Sequence, residues 1–350
     1  MDLQRQFPNV HYIWGGGISF VYEVDPRIVV KVPQTGEFEK EQFKKEVAVY
    51  DLLWQHPLCP FIVECFLYTP NGIFLEYMRD GLLASRIQNN HTRDDKTYVV
   101  TKVDKLEPLR LRKQWMSDLT AAVAFLESLG LAHGDLRPEN ILLDRDRIKL
   151  SDFDSTDEIG NHFEACMAPY GRLLNGSESH LGLCGSAGRL GPRTEQFALG
   201  SLFYYINYGF EVYGDRCLAE DPREHGPTMV DELQHMKFPD LHGDEEIDAI
   251  IDKCWHNKYA KVADLAVHTH KLLAEHTETV EDDEHKGASS DNSNAEDPEH
   301  AGGATDGEVS YSREDICEDL EARGLLEILS SAEPEKLGFK LEWYRHPTTA

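Results

Sequence analysis

The sequence predicts an α+β fold in two lobes, a β-rich amino-terminal lobe carrying one helix and a mainly helical carboxy-terminal lobe. Three observations carry that expectation. The first 80 residues read mainly as short β-rich runs between Gly- and Pro-containing turns. Long helical patterns dominate afterwards, with a hairpin pattern between two of them. At 350 residues the chain has room for two lobes and a tail, and its 41% apolar content is enough for a packed core.

The elements follow in order. HYIW, SFVYEV and RIVVKV are strand-like runs before residue 33. A helix interrupts them around FEKEQFKKEVAVYDLLWQ, where Phe43, Val47, Tyr50 and Leu53 mark one apolar face. IFLEYM is a further strand, so the amino-terminal lobe is expected over residues 1–76. LRKQWMSDLTAAVAFLESLG and EQFALGSLFYYINYG read as helices ending at Gly130 and Gly209, the residue type that tolerates the left-handed turn past a helix end. Between them NILLD and IKLSDF face each other across RDR as a hairpin. The helical lobe is expected over residues 77–276.

Charge is unevenly placed. The formal net charge is −28, and Glu278–Glu308 alone holds eleven Asp or Glu against one lysine. That stretch has almost nothing apolar to offset chain ordering, so residues 277–308 are expected to be an acidic, disordered linker. Ser289, Ser290 and Ser293 within it read as solvated. Residues 309–350 form a terminal segment in which Ile316, Leu320, Leu325 and Leu329 recur near helical spacing. Its final aromatics, in LGFKLEWYRH, imply docking on the fold.

Such an acidic chain is not expected to bind nucleic acid or an anionic membrane, because phosphate surfaces select basic patches. Seven cysteines without a CxxC pair fit neither a zinc module nor a secreted disulfide framework. MDLQRQFPNV lacks the basic start and apolar core of a signal peptide, and no apolar run reaches 18 residues. The expected location is cytoplasmic or nuclear.

The segment HGDLRPENILLD, followed by SDFD, is the most informative. Asp135 and Asn140 lie five apart in a loop that opens the hairpin, and Asp152 ends its second strand. Two carboxylates and an amide then meet at one edge. Such hard oxygen donors suit Mg²⁺ shared with phosphate oxygens, while a further aspartate can take the proton of an attacking hydroxyl.

HGDLRPEN resembles the protein-kinase catalytic loop, and SDFD resembles the metal-binding DFG segment of that family. The resemblance implies a two-lobed protein-kinase-like fold that uses ATP and Mg²⁺. It makes Asp135 the catalytic base, with Asn140 and Asp152 as metal ligands and Arg137 steadying the transferred phosphate. IWGGGISFVYEV is similar to the glycine-rich loop. With Val21 at the family's valine, Gly16 is the middle glycine, and Trp14 and Ser19 replace the outer two. Alternatively Gly15 and Gly17 lead and the loop is one residue short. Lys31, among valines, needs a partner for its ammonium, and Glu46 matches the family's helix glutamate. Glu76 and Met78 fall where the hinge binds adenine through its backbone, with Leu75 as gatekeeper. EQFALGSLFYYINYG and KCW at 253–255 extend the similarity over roughly residues 10–270, and TEQFALGS is similar to kinase-like proteins of filamentous fungi.

Several departures stand out. Gly134 replaces the arginine that grips a phosphorylated activation loop, Asp154 replaces the DFG glycine, and Glu195 replaces an aspartate. Asp154 is expected to cap a turn. The APE triplet is missing, and so is its partner arginine near Lys261 and Val262. Three functions therefore compete: a protein kinase acting on Ser or Thr, possessing an acidic body that favours a basic protein substrate; a small-molecule phosphotransferase of the aminoglycoside or choline kinase type; and a pseudokinase scaffold. The retained metal- and phosphate-contacting residues favour the first. His268 and His270 read as solvated, and Cys254 as a core residue.

Overall fold

Alternation along SFVYEVD and IVVKVP gives the amino-terminal sheet two apolar faces, and both are buried. The structure is a computed structural model that describes residues 3–163, 167–285 and 311–340. After a single turn, α1 (Leu3–Gln6), come β1 (His11–Gly15), β2 (Ser19–Asp25), β3 (Ile28–Pro33), α2 (Glu37–Leu53), β4 (Cys65–Thr69) and β5 (Gly72–Glu76). The five strands form one antiparallel sheet in the order β1-β2-β3-β5-β4. Val29, Ile73 and Leu75 face α2 and join the main core, while Phe20, Tyr22, Ile28, Val30, Val32 and Phe74 line the opposite face.

The chain crosses to the second lobe through β6 (Gly81–Leu82), α3 (Leu83–Gln88) and the hairpin β7 (His91–Arg93) and β8 (Val100–Val103). There follow α4 (Leu109–Ser128), β9 (Leu131–Ala132), β10 (Ile141–Asp144), β11 (Arg147–Leu150) and β12 (Asp157–Glu158). β10 and β11 pair in the register Ile141↔Leu150, so Asn140 and Ser151 sit side by side at the open end of the hairpin. α5 (Pro192–Tyr208) is the central post. Every residue from Thr194 to Asn207 is buried, and Gly209 ends the helix at φ 81°. At Gly200 a side chain is barred, since a Cβ there would stand 2.7 Å from the Cβ of Cys254. Cys254, on α7 (Glu245–Trp255), is 1% exposed, a core residue. The short α6 (His225–Gln234) precedes it, and α8 (Val262–His285) packs along α4, where the hydroxyls of Thr120 and Thr269 meet at 2.7 Å.

α8 corrects two expectations. It runs on to His285, into the stretch assigned to the linker from its charge and its lack of apolar residues. Glutamate is a good helix former, and no glycine or proline interrupts before Gly287. The rest of that acidic stretch lies outside the described residues. His268 is not simply solvated either, because its Nδ1 shares a 2.7 Å hydrogen bond with the Tyr259 hydroxyl.

After the acidic stretch, α9 (Arg313–Ala322) and α10 (Leu325–Leu329) are separated by Gly324 at φ 79°. Leu320, Leu325, Leu326, Leu329 and Phe339 bury against the sheet face opposite α2. The six described cysteines are all free thiols. No helix among the described residues is long and apolar enough to cross a membrane.

Candidate active site between the two lobes

Every residue of β3 is buried, and the sheet register turns Lys31 towards α2. α2 offers Glu46, which has no exposed surface, among Phe43, Val49 and Tyr50. An ammonium buried there needs opposite charge. Lys31 Nζ lies 2.7 Å from Glu46 Oε2, a contact of charge, and donates a hydrogen bond of 2.5 Å to Asp152 Oδ1. Burial opposes the Lys31 charge, but Asp152 and Glu46 outweigh it and raise its pKa. Burial drives the Glu46 carboxyl upward against the pull of Lys31. Asp152 is also disfavoured by burial, yet Lys31 holds it below the usual carboxylate range.

The HGDLRPEN segment is held from below by α5. Glu195, in the first turn of that helix, accepts hydrogen bonds from His133 N at 2.8 Å and Gly134 N at 3.4 Å. Burial pushes the Glu195 carboxyl up to about 7 despite those two donors. His133 is fully buried, and its Nδ1 accepts from Asp135 N at 3.2 Å, so Nε2 carries the proton donated to Ser151 O at 3.0 Å. The Phe153 ring sits edge-on between His133 and Tyr50, 5.4 Å from each. One aromatic column thus joins the loop, the Asp152 segment and the helix of Glu46.

Asp135 and Asn140 meet as their spacing predicts. Asn140 Nδ2 donates to the Asp135 carbonyl at 2.8 Å and to Asp135 Oδ2 at 2.9 Å. Arg137 Nε lies 3.5 Å from the same Asp135 oxygen. The Asn140 main-chain carbonyl is taken by Ser151 N and Oγ, which leaves the side-chain Oδ1 of Asn140 and the Oδ2 of Asp152 as the oxygens that could meet a cation. No group of three or more His, Cys, Asp or Glu among the described residues encloses a metal ion. A partial set of hard oxygens suits Mg²⁺ that draws its other ligands from phosphate and water.

Gly134 stands at φ 79°, and a Cβ there would lie 2.5 Å from Ser155 O. The site therefore excludes the arginine of the family pattern on steric grounds. The left-handed residue of the SDFD segment is Asp152, at φ 67°, and not Asp154. Asp154 does not cap a backbone turn as expected; its carboxylate accepts from the Ser155 hydroxyl at 3.0 Å. Burial and the nearby Asp152 raise its pKa.

The glycine-rich hairpin pairs Gly15 with Phe20 and Trp14 with Val21, while Gly16 N donates to Ser19 O at 2.9 Å. Gly17 and Ile18 form its tip. Gly17 is open on its Cβ side, whereas the Trp14 ring lies over Gly16. At the hinge, Glu76 N donates to Glu64 O at 2.9 Å and Met78 is buried. Glu76 also forms a buried ion pair with Lys149 that the sequence reading missed. Lys149, inside IKL, needs a partner for its ammonium just as Lys31 does.

The chain places an ion pair of its own between residues 172 and 178. Arg172, nearly buried, donates to Glu178 at 2.8 Å, and Val262 N is bonded to Glu127. A cavity of about 190 Å³ behind α2, between Trp54, Leu58 and Phe125, lies away from these groups.

Residues 26–261 match the protein kinase domain. The chain is 24% identical over 257 residues to a probable serine/threonine-protein kinase, gdt2, of Dictyostelium discoideum, covering 70% of this chain and 14% of that protein. It is 22% identical over 237 residues to CBL-interacting serine/threonine-protein kinase 20 of Arabidopsis thaliana, covering 62% and 49%. It is 27% identical over 201 residues to testis-specific serine/threonine-protein kinase 1 of Mus musculus, covering 47% and 52%. The chain thus spans about half or less of the length of each of these relatives.

Proposed function

The chain belongs to the protein kinase domain family, and from that membership we propose that it transfers the γ-phosphoryl group of ATP to a serine or threonine hydroxyl of a protein. The observation that carries the reading is Lys31 held between Glu46 and Asp152, with Asp135 and Asn140 joined at the hairpin edge. The residues retained are those that touch phosphate, metal and hydroxyl in such a reaction.

Lys31, fixed by Glu46, orients the α- and β-phosphates, and the backbone of Gly15, Gly16 and Gly17 approaches the phosphates from above. Val21 and Met78 flank the adenine. Since Glu76 N is already engaged by Glu64 O, the Glu76 carbonyl and the Met78 amide are the hinge groups for adenine. Asp152 and Asn140 would hold Mg²⁺, which when bound would neutralise charge on the phosphates. Asp135 takes the hydroxyl proton; the Asn140 amide and the Arg137 guanidinium keep its carboxylate oriented. Arg137 also steadies the charge on the group in flight. The net charge of −28 favours a basic protein substrate.

A phosphotransferase assay with radiolabelled ATP, Mg²⁺, basic Ser/Thr peptides, aminoglycosides and choline tests this reading. Labelled peptide or autophosphorylation in the wild type, absent from Asp152→Ala, is the expected result. Label only in the small molecules, or a Mg·ATP-dependent melting shift with no turnover, overturns it.

A further inference from the structure

The sheet face opposite Lys31 is an apolar docking surface occupied by the chain's own terminal segment. Phe20, Tyr22, Val30, Val32 and Phe74 on the sheet meet Leu325, Leu326 and Leu329 from α10, none of the three leucines being exposed. Phe339 closes the far side, its ring 5.1 Å from that of Tyr22. Polar ties ring this contact. Arg313 lies 3.5 Å from Glu64 and over the Phe66 ring, and Arg323 donates to Gln6 O at 2.9 Å while covering Phe7. Gln6 donates in return to Arg323 O at 3.3 Å, and Thr35 donates to Glu333 at 3.1 Å. The segment also carries its own start signal, because Ser312 and Asp315 form a reciprocal capping box.

One contact links this face to the candidate active site. A Cβ on Gly72 would stand 2.7 Å from Leu326 Cδ2 and 3.2 Å from the carbonyl oxygen of Lys31. Leu326 therefore sits in the notch that Gly72 leaves open, directly behind the main chain of Lys31. The family match ends at residue 261, well before this segment. Residues 286–310, almost devoid of apolar side chains, separate it from α8.

We infer that residues 311–340 act as a separable ligand of the outer sheet face, and that their docking sets the nucleotide affinity of the site in front of it. The inference rests on the reading of Lys31 as the residue that orients ATP phosphates. Docking restrains β3 from behind, so loss of the segment frees the strand that presents Lys31 and weakens nucleotide binding through that strand. The covalent tie through residues 286–310 raises the local concentration of the segment.

The test uses the full chain with a protease site inserted between Gly302 and Gly303. After cleavage, the terminal fragment is expected to co-elute with the rest on gel filtration, and Mg·ATP affinity by calorimetry is expected to be unchanged. Leu326→Asp in the cleaved protein is expected to release the fragment and weaken Mg·ATP binding on the order of tenfold. Gly72→Ala, a milder disturbance of the same notch, is expected to shift both measurements in the same direction, which keeps the test informative if Leu326→Asp unfolds. Separation of the fragment from the cleaved wild-type protein overturns the docking claim. Release without any change in Mg·ATP affinity overturns the coupling. Failure of the uncleaved protein to bind Mg·ATP overturns the reading of Lys31 and the coupling with it, while the co-elution result still decides the docking.

Discussion

The two faces of β3 bury equally well by opposite means. On one, Lys31 reaches two carboxylates at 2.7 and 2.5 Å inside a nearly closed shell. On the other, Ile28, Val30 and Val32 lie under the leucines of α10. The charged face depends on partners at fixed positions, since a buried ion left unpaired costs several kcal/mol. The apolar face depends on area and fit, so substitutions that preserve volume are tolerated there. Adjacent residues of a single strand thus obey different rules of replacement.

The largest effect on stability is expected from breaking the charged face. Lys31→Met leaves Glu46 fully buried and Asp152 half-buried without a cation and should cost about 3–5 kcal/mol in urea unfolding. Adding Glu46→Leu should recover much of that stability while phosphotransfer stays absent. An unchanged midpoint for Lys31→Met would refute the shared burial of the three groups. On the other face Leu326→Ala should cost about 2–5 kcal/mol, and Leu326→Met less than about 1.5 kcal/mol. Equal losses for the two variants would mean that the contact is not governed by volume.

Gly134→Ala comes next, at about 1–3 kcal/mol, because its side chain meets Ser155 O in a left-handed backbone. A subtler effect comes from Glu195. Its folded-state pKa of about 7 lies above the usual 4.5, so between those values the native state holds a proton that the unfolded state has lost. The stability contributed by that protonated carboxyl is full below about 4.5 and declines as pH rises to about 7. Denaturation from pH 5 to 8 should show this decline in the wild type and a flatter curve in Glu195→Gln. A steeper curve in the variant would contradict it. The smallest effect is Ser312→Ala, expected to cost about 1 kcal/mol through loss of the α9 cap.

The charged face was legible in the sequence, because chemistry constrains residue type and spacing. Lysine among valines needs a carboxylate, and Asp135, Asn140 and Asp152 are tied together by a short hairpin. The same economy made the two long helices and their glycine ends readable. What covers the other face was less legible: Ile316, Leu320, Leu325 and Leu329 showed an apolar stripe, but area-driven contacts carry no signal naming their partner. The break at Gly324 divides that stripe into two helices, which periodicity alone does not reveal. Gly134 shows the opposite limit. Its identity reads as a lost arginine, whereas the cause is the carbonyl of Ser155, a main-chain group invisible in any pattern of side chains.

The central claim is that Asp135, oriented by Asn140, takes a proton from a hydroxyl as ATP gives up its γ-phosphoryl group. Single-turnover phosphotransfer by wild type and Asp135→Asn, at saturating Mg·ATP, measures it most directly. The predicted result is a loss of about 10²-fold or more in rate with Mg·ATP affinity retained. Equal rates in the two proteins would contradict the account.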